Sequence, residues 1–290
     1  MIANCAGADV IPRSECNQAG TVSARFSHSA LVCLDDYRLV TLLQGMRQRG
    51  MRVINIMPSS WHSVWCQLDA GQKVVLKADV LEIGEIRVPL GNVPRWQSPP
   101  LASCLCSSHL NRERLATASA WLKSFTDERG CGESLAWRAA HDCFLITLRA
   151  LDGPAETLDS AVRSTVGLGP GLTPSGDDML AGLLIGLEAA GLRANRDRLA
   201  SSIGRNIDVM PLSSRDMLEQ ASRGWVTDGI ANVLAALSTQ PGAADLIDAL
   251  SAQSAIGHHS GTDVLLGIFA GLESIELLAP TPVTSSLESN

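Results

Sequence analysis

Aromatic residues are scarce in this chain: one Tyr, four Phe and six Trp among 290 residues. So few rings leave little for nucleic-acid bases to stack on. A formal net charge of −7 gives no broad basic surface for a phosphate backbone. No nucleic-acid partner is expected. Long apolar runs are also missing. The longest, 179–192, contains Glu188 and falls short of the ~20 residues that a bilayer crossing needs. It reads as a buried helix, and no membrane partner is expected. The N-terminus has no basic stretch leading into an apolar one, so no secretory leader is read and the expected compartment is the cytoplasm. What is plentiful is apolar material, 46% of residues, which excludes a mainly disordered chain.

All eight cysteines lie between Cys5 and Cys143. In a cytoplasmic chain they read as small, reduced core residues. Cys104, Cys106 and His109 form a C-x-C-x-x-H cluster, but a structural zinc site needs a second ligand pair, and none suggests itself.

The organisation along the chain is α+β. Residues 1–20 show no periodicity and read as a loose lead-in. Residues 21–100 read as a β-rich unit. Val22, Ala24 and Phe26 alternate with polar residues, short β-rich runs follow at 31–34, 39–43 and 53–57, and 73–90 alternates around a turn at Gly84. With no helix expected between them, these strands predict an N-terminal antiparallel β domain, either a sheet or a small barrel. The stretch 91–100, with three prolines, marks a boundary. Residues 101–280 read as a mostly α-helical C-terminal domain, and 281–290 as a tail. Leu115, Ala118, Trp121, Leu122 and Phe125 share one helical face; Leu135, Ala139, Cys143, Ile146 and Ala150 share another. Further helices are expected at 154–166, 176–191, 195–207, 214–223, 228–238, 243–254 and 261–278.

Two segments 85 positions apart repeat. SGDDMLAGLLIGL at 175–187 and SGTDVLLGIFAGL at 260–272 agree at seven of thirteen positions. Ser175 and Ser260 are placed as helix N-caps, with Asp178 and Asp263 three residues on, as in a capping box. Asp178, Gly182 and Gly186 lie along one helical stripe, as do Asp263, Gly267 and Gly271. Glycine inside a helix costs about 1 kcal/mol relative to Ala. A close helix crossing is the expected compensation, with Leu excluded at Gly182 and Gly267 and Ala tolerated. If the two helices run parallel, Asp178 and Asp263 come to line one cleft; if antiparallel, they sit at opposite ends.

The first repeat is preceded by VGLGPGLTP. Alternate glycines and interleaved prolines make this loop stiff and nearly free of side chains. It runs into a helix N-terminus, where backbone N–H groups and hydroxyls favour an anion. The candidate binding residues are Gly169, Gly171, Thr173, Ser175, Gly176 and Asp177, joined from the second loop by Ser260 and Gly261. Asp177 and Asp178 would repel a bare phosphate, and instead suit a magnesium ion bridging to it, though they equally suit hydrogen-bond donors. His258 and His259 precede the second cap. An adjacent pair points two ways, so at most one faces a given site, and His258 is the candidate for proton transfer alongside Asp178 and Asp263.

The strings GLGPGLTPSGDD (167–178) and GHHSGTDVLLG (257–267) resemble the two signature motifs of the AllH-type subunit family of bacterial oxamate carbamoyltransferase, a family that has also carried a carboxylase label. Residues 71–96 resemble its β region, so the likeness spans about 20–275. The resemblance implies partner subunits of the acyl-CoA-synthetase-like and AllG types. It also implies phosphorolysis of oxalurate to oxamate and carbamoyl phosphate during anaerobic allantoin breakdown, a branch of purine catabolism. The expected ligand is therefore a small anion: phosphate, carbamoyl phosphate or a carboxylate. The alternative is a non-catalytic assembly subunit whose loops form a protein interface.

Overall fold

A computed structural model describes residues 3–10, 17–105, 107–239 and 245–278. The expected tail at 281–290, and Cys106 of the cysteine–histidine cluster, lie outside the described residues. The first half is a curled nine-stranded sheet. Its strands are β1 (Ala3–Gly7), β2 (Gln18–Arg25), β3 (Ser29–Leu34), β4 (Leu39–Gln44), β5 (Val53–Ile56), β6 (Lys73–Leu76), β7 (Val80–Ile83), β8 (Ile86–Pro89) and β9 (Arg95–Trp96). They are ordered β8-β7-β6-β2-β3-β4-β5-β1-β9.

The β region departs from expectation in four ways. The stretch read as a loose lead-in contains β1, which is almost wholly buried and pairs with both β5 and β9. Its small residues, ANCAG, carry no alternation, and burial on both faces explains that. The proline-rich boundary supplies β9. The pairing is mostly antiparallel, but β4–β5 and β1–β9 are parallel. A helix, α1 (Pro58–Trp65), also interrupts the strands, opening with Pro at its first position. Its Trp61 and Val64 pack with Val22, Val32, Ile54 and Ile83 in the core of the sheet. Indole N–H groups of Trp61 and Trp65 donate to the carbonyls of Ser27 and Phe26, each at 3.0 Å, tying the helix to the β2–β3 turn.

The second half is helical: α2 (Leu101–Cys104), α3 (Arg112–Glu128), α4 (Leu135–Arg149), α5 (Ala155–Thr165), α6 (Ser175–Ala189), α7 (Arg193–Arg205), α8 (Leu212–Ser222), α9 (Asp228–Ala236), α10 (Leu246–Ser254) and α11 (Ser260–Leu278). From α5 onward each lies within three residues of its expected bounds. On α4 the expected apolar face is not the buried one. Trp137, Ala140, Phe144 and Thr147 turn inward, while Leu135 and Ile146 are 76% and 53% exposed. Two apolar stripes compete on this helix, and the one bearing the larger rings wins the core.

α6 is apolar all round, and every residue except Glu188 is buried. It packs along α11 through the repeated glycines. Gly182 meets Val264 and Gly267, and Gly186 meets Ile268 and Gly271, so the helices run parallel with their N-termini together. A Cβ on Gly182 would come within 2.1 Å of the Val264 carbonyl oxygen, and one on Gly267 within 2.0 Å of that of Met179. The expectation that Ala fits here is therefore wrong: the partner is backbone, which cannot step aside.

The link from β4 to β5 reaches the helices. Arg49 donates from N and Nε to Asp228 at 2.9 Å each. Arg52, 3% exposed, is held by Asp9 at 2.7 Å, Glu219 at 3.0 Å and Asp216. Asp216 also accepts from the Leu39 N–H at 3.1 Å.

Candidate functional site

The repeated SGxD segments each belong to a larger unit, a helix, a loop and a second helix: α5–α6 and α10–α11. In both, the glycine after the serine packs under the end of the preceding helix. A Cβ on Gly176 would lie 2.1 Å from the Thr165 carbonyl oxygen, and one on Gly261 2.0 Å from that of Gln253. In both, the glycine N–H returns to the loop, from Gly176 to the Leu168 carbonyl at 2.9 Å and from Gly261 to that of Ile256 at 3.0 Å. Ser175 and Ser260 are not caps. Each is the first helical residue, and Pro174 holds the cap position of α6. Proline cannot donate there, so nothing is lost.

The two units bring Thr173, Ser175, Asp178, Ser260 and Asp263 together. Thr173 Oγ1 lies 3.1 Å from Asp178 Oδ2 and 3.5 Å from Ser260 Oγ. Asp263 Oδ1 accepts from the Trp137 indole N–H at 2.8 Å, which is why that ring turns inward on α4. The expected shared mouth exists, but the carboxylates lie beneath it: Asp178 is 1% and Asp263 0% exposed. Burial drives the Asp178 carboxyl well above its ordinary pKa, with the nearby Asp263 and Asp177 adding to the shift while the Ser260 and Thr173 hydroxyls oppose it. Burial likewise pushes Asp263 up to about 6, against the Ser175 hydroxyl and the Trp137 indole. Asp178 Oδ1 and Thr262 Oγ1 are buried without a hydrogen-bond partner.

Asp177 and Asp178 have different partners. Asp177 Oδ1 accepts from the Gly167 N–H at 2.9 Å, closing the base of the loop, and burial raises its pKa too. Among the described residues, no group of three or more His, Cys, Asp or Glu side chains is arranged to hold a metal. Gly169 and Gly171 have φ of 106° and 107°, and a Cβ on Gly169 would meet Ser175 at 2.8 Å. The N–H groups of Gly169, Gly171, Leu172 and Thr173 donate to no backbone carbonyl among the described residues. His258 is exposed, its carbonyl accepting from Arg129 at 3.0 Å. Its neighbour His259 turns toward Cys131, 3.5 Å away.

Residues 165–272 match the model of the family described as oxamate carbamoyltransferase subunit AllH. This AllH-type segment covers a little over a third of the chain. The matched segment opens at Thr165, whose carbonyl covers Gly176, and closes at Leu272, past the last glycine of the seam. It therefore holds both SGxD segments and the loops before them, and leaves out the sheet. No solved structure matches the chain. Among the described residues, no helix is long and apolar enough to cross a membrane.

A cavity of about 310 Å³ opens between the sheet and the helices beside this site. Thr173, Ser260 and Gly261 line it, together with Arg52, Asp216 and Trp225. Asp178, Asp263 and His258 do not line it. Sequence reasoning missed Arg52 and Asp216, because the residues that meet here are 164 positions apart and neither sits in a motif.

Proposed function

We propose that this chain is a subunit of an oxamate carbamoyltransferase, and that its 167–178 loop holds a small anion: phosphate, carbamoyl phosphate or a substrate carboxylate. The observation that carries the reading is the set of four unclaimed N–H groups, from Gly169 to Thr173, above two helix N-termini that point the same way. Both helix dipoles favour negative charge there. Asp178 beneath does not oppose it strongly, since burial favours its protonated form. In the reaction, a phosphate oxygen would attack the carbamoyl carbon of oxalurate, the bond from that carbon to the oxamate nitrogen would break, and that nitrogen would take up a proton. Asp178 and Asp263 fit positioning roles, holding Thr173, Ser260 and Trp137 in register. His258 has no such place in this reading. Partner subunits would supply what this chain lacks.

Titration calorimetry with carbamoyl phosphate, with and without magnesium, tests it. Wild type should bind. Asp178→Asn should bind with altered affinity if the carboxyl positions the loop through Thr173. Loss of binding only in the presence of magnesium would instead assign Asp177 and Asp178 to a bridging cation. Unchanged affinity in both conditions would reduce Asp178 to a packing role. A second reading, an assembly subunit whose loop docks on a partner, draws on Leu172, 52% exposed at the loop. Binding of a partner subunit with no binding of any small anion would favour it.

A further inference from the structure

The cavity between the sheet and the helices differs in chemistry from the loop. Its walls are mainly apolar, with Leu31, Met51 and Val53 from the sheet and Ile185, Ile230 and Val264 from the helices. Among the described residues, Arg52 is the sole basic side chain lining it, and that guanidinium is claimed by Asp9, Asp216 and Glu219. An anion entering here would find no free cation and would face Asp216. A cation would find Asp216 already paired. The unclaimed polar group is Gln253. Its side chain lines the cavity and is 3% exposed, and its Oε1 is buried with no hydrogen-bond partner. The carboxamide rests against Gly229, where a Cβ would come within 2.6 Å of Oε1, so glycine at that position leaves it room. Thr227, at the cap position of α9, also lines the cavity; its hydroxyl caps nothing and is likewise unpartnered. A buried amide oxygen left unsatisfied is costly, and a ligand that donates to it removes the cost.

We propose that this cavity binds an uncharged small molecule with an apolar body and an amide N–H that donates to Gln253 Oε1. The volume is at the small end of the range for ligand cavities, roughly 300–1,000 Å³. The apolar body would lie along the Trp225 wall. This site is independent of the anion loop, although Thr173 and Ser260 border both.

The test uses benzamide as probe and benzoate as its charged isostere, titrated into the full chain by calorimetry, with inorganic phosphate as a separate arm for the loop. Benzamide should bind saturably at millimolar concentration, and benzoate at least roughly tenfold more weakly. Gln253→Met should weaken benzamide by at least roughly tenfold without lowering Tm, since it removes a buried unsatisfied amide oxygen. Ala221→Leu, which fills the cavity from α8, should abolish benzamide binding and leave phosphate binding unchanged. No benzamide binding, equal binding of benzoate, or wild-type benzamide affinity in folded Gln253→Met would each overturn the proposal. Benzamide binding without phosphate binding would support it while overturning the loop reading.

Discussion

The two SGxD units share a scaffold and differ in what they do with it. In each, a glycine slides under the preceding helix, its N–H returns to the loop, and a stripe of glycines joins the seam. Beyond that they part. The first loop runs nine residues from α5 to α6, with two glycines at φ near 106° and a row of unclaimed N–H groups. The second runs five residues from α10 to α11 and sends its histidines toward Arg129 and Cys131. The matched aspartates have different partners, hydroxyls for Asp178 and an indole for Asp263. What the units share is packing; the candidate chemistry lies where they diverge.

The largest test of that division is at the seam. Gly182→Leu and Gly267→Leu should each cost more than about 3 kcal/mol and yield little folded protein, read by thermal melting. A folded Gly267→Leu would mean that the units do not share a seam. Next, Gly176→Ala and Gly261→Ala should destabilise by similar amounts, about 1–3 kcal/mol each in urea titrations, since each new methyl meets a carbonyl oxygen at the same distance. Unequal costs would break the equivalence of the two units.

The aspartates sharpen the contrast by pH. An unfolded Asp titrates near 3.9, whereas Asp263 in the fold sits at about 6. Between these values the folded state holds more protons, so this group's contribution to stability falls as pH rises from about 4 to 6 and is level above that. Asp263→Asn should remove roughly 2–3 kcal/mol of that slope, seen as a gain relative to wild type at pH 7 compared with pH 4.5. A difference that does not change with pH would place the carboxyl in contact with water. Smaller still, Thr173→Ala should weaken anion binding by roughly 0.5–1.5 kcal/mol. His258→Ala should move neither binding nor stability beyond about 0.5 kcal/mol.

Much of this fold was legible because periodicity reports burial. α6 announced itself by being apolar on every side, and the glycine stripe predicted its partner and, once direction is known, its register. Legibility failed where a residue's environment is set from far away. β1 has no alternation because neighbours cover both its faces. α4 offered two stripes, and the choice between Leu135 and Trp137 rests on Asp263, 126 positions distant. Ser175 looked like a cap, but Pro174 before it had already started the helix. Arg52 and Gln253 carry no motif at all. Their significance comes from which charges meet Arg52 and from the absence of a partner for Gln253, and neither is local.

The seam also has a consequence in time. Gly182 leaves the ribosome 85 residues before Gly267, its partner. At ordinary synthesis rates that leaves roughly 5–20 s during which α6, with no polar face to present to water, has no α11 to cover it. The α7–α10 helices made in that interval can shield its flanks, but the glycine groove stays vacant until α11 arrives. A nascent chain stalled before residue 260 should therefore be sticky and protease-sensitive along α6, and should become resistant once α11 has emerged.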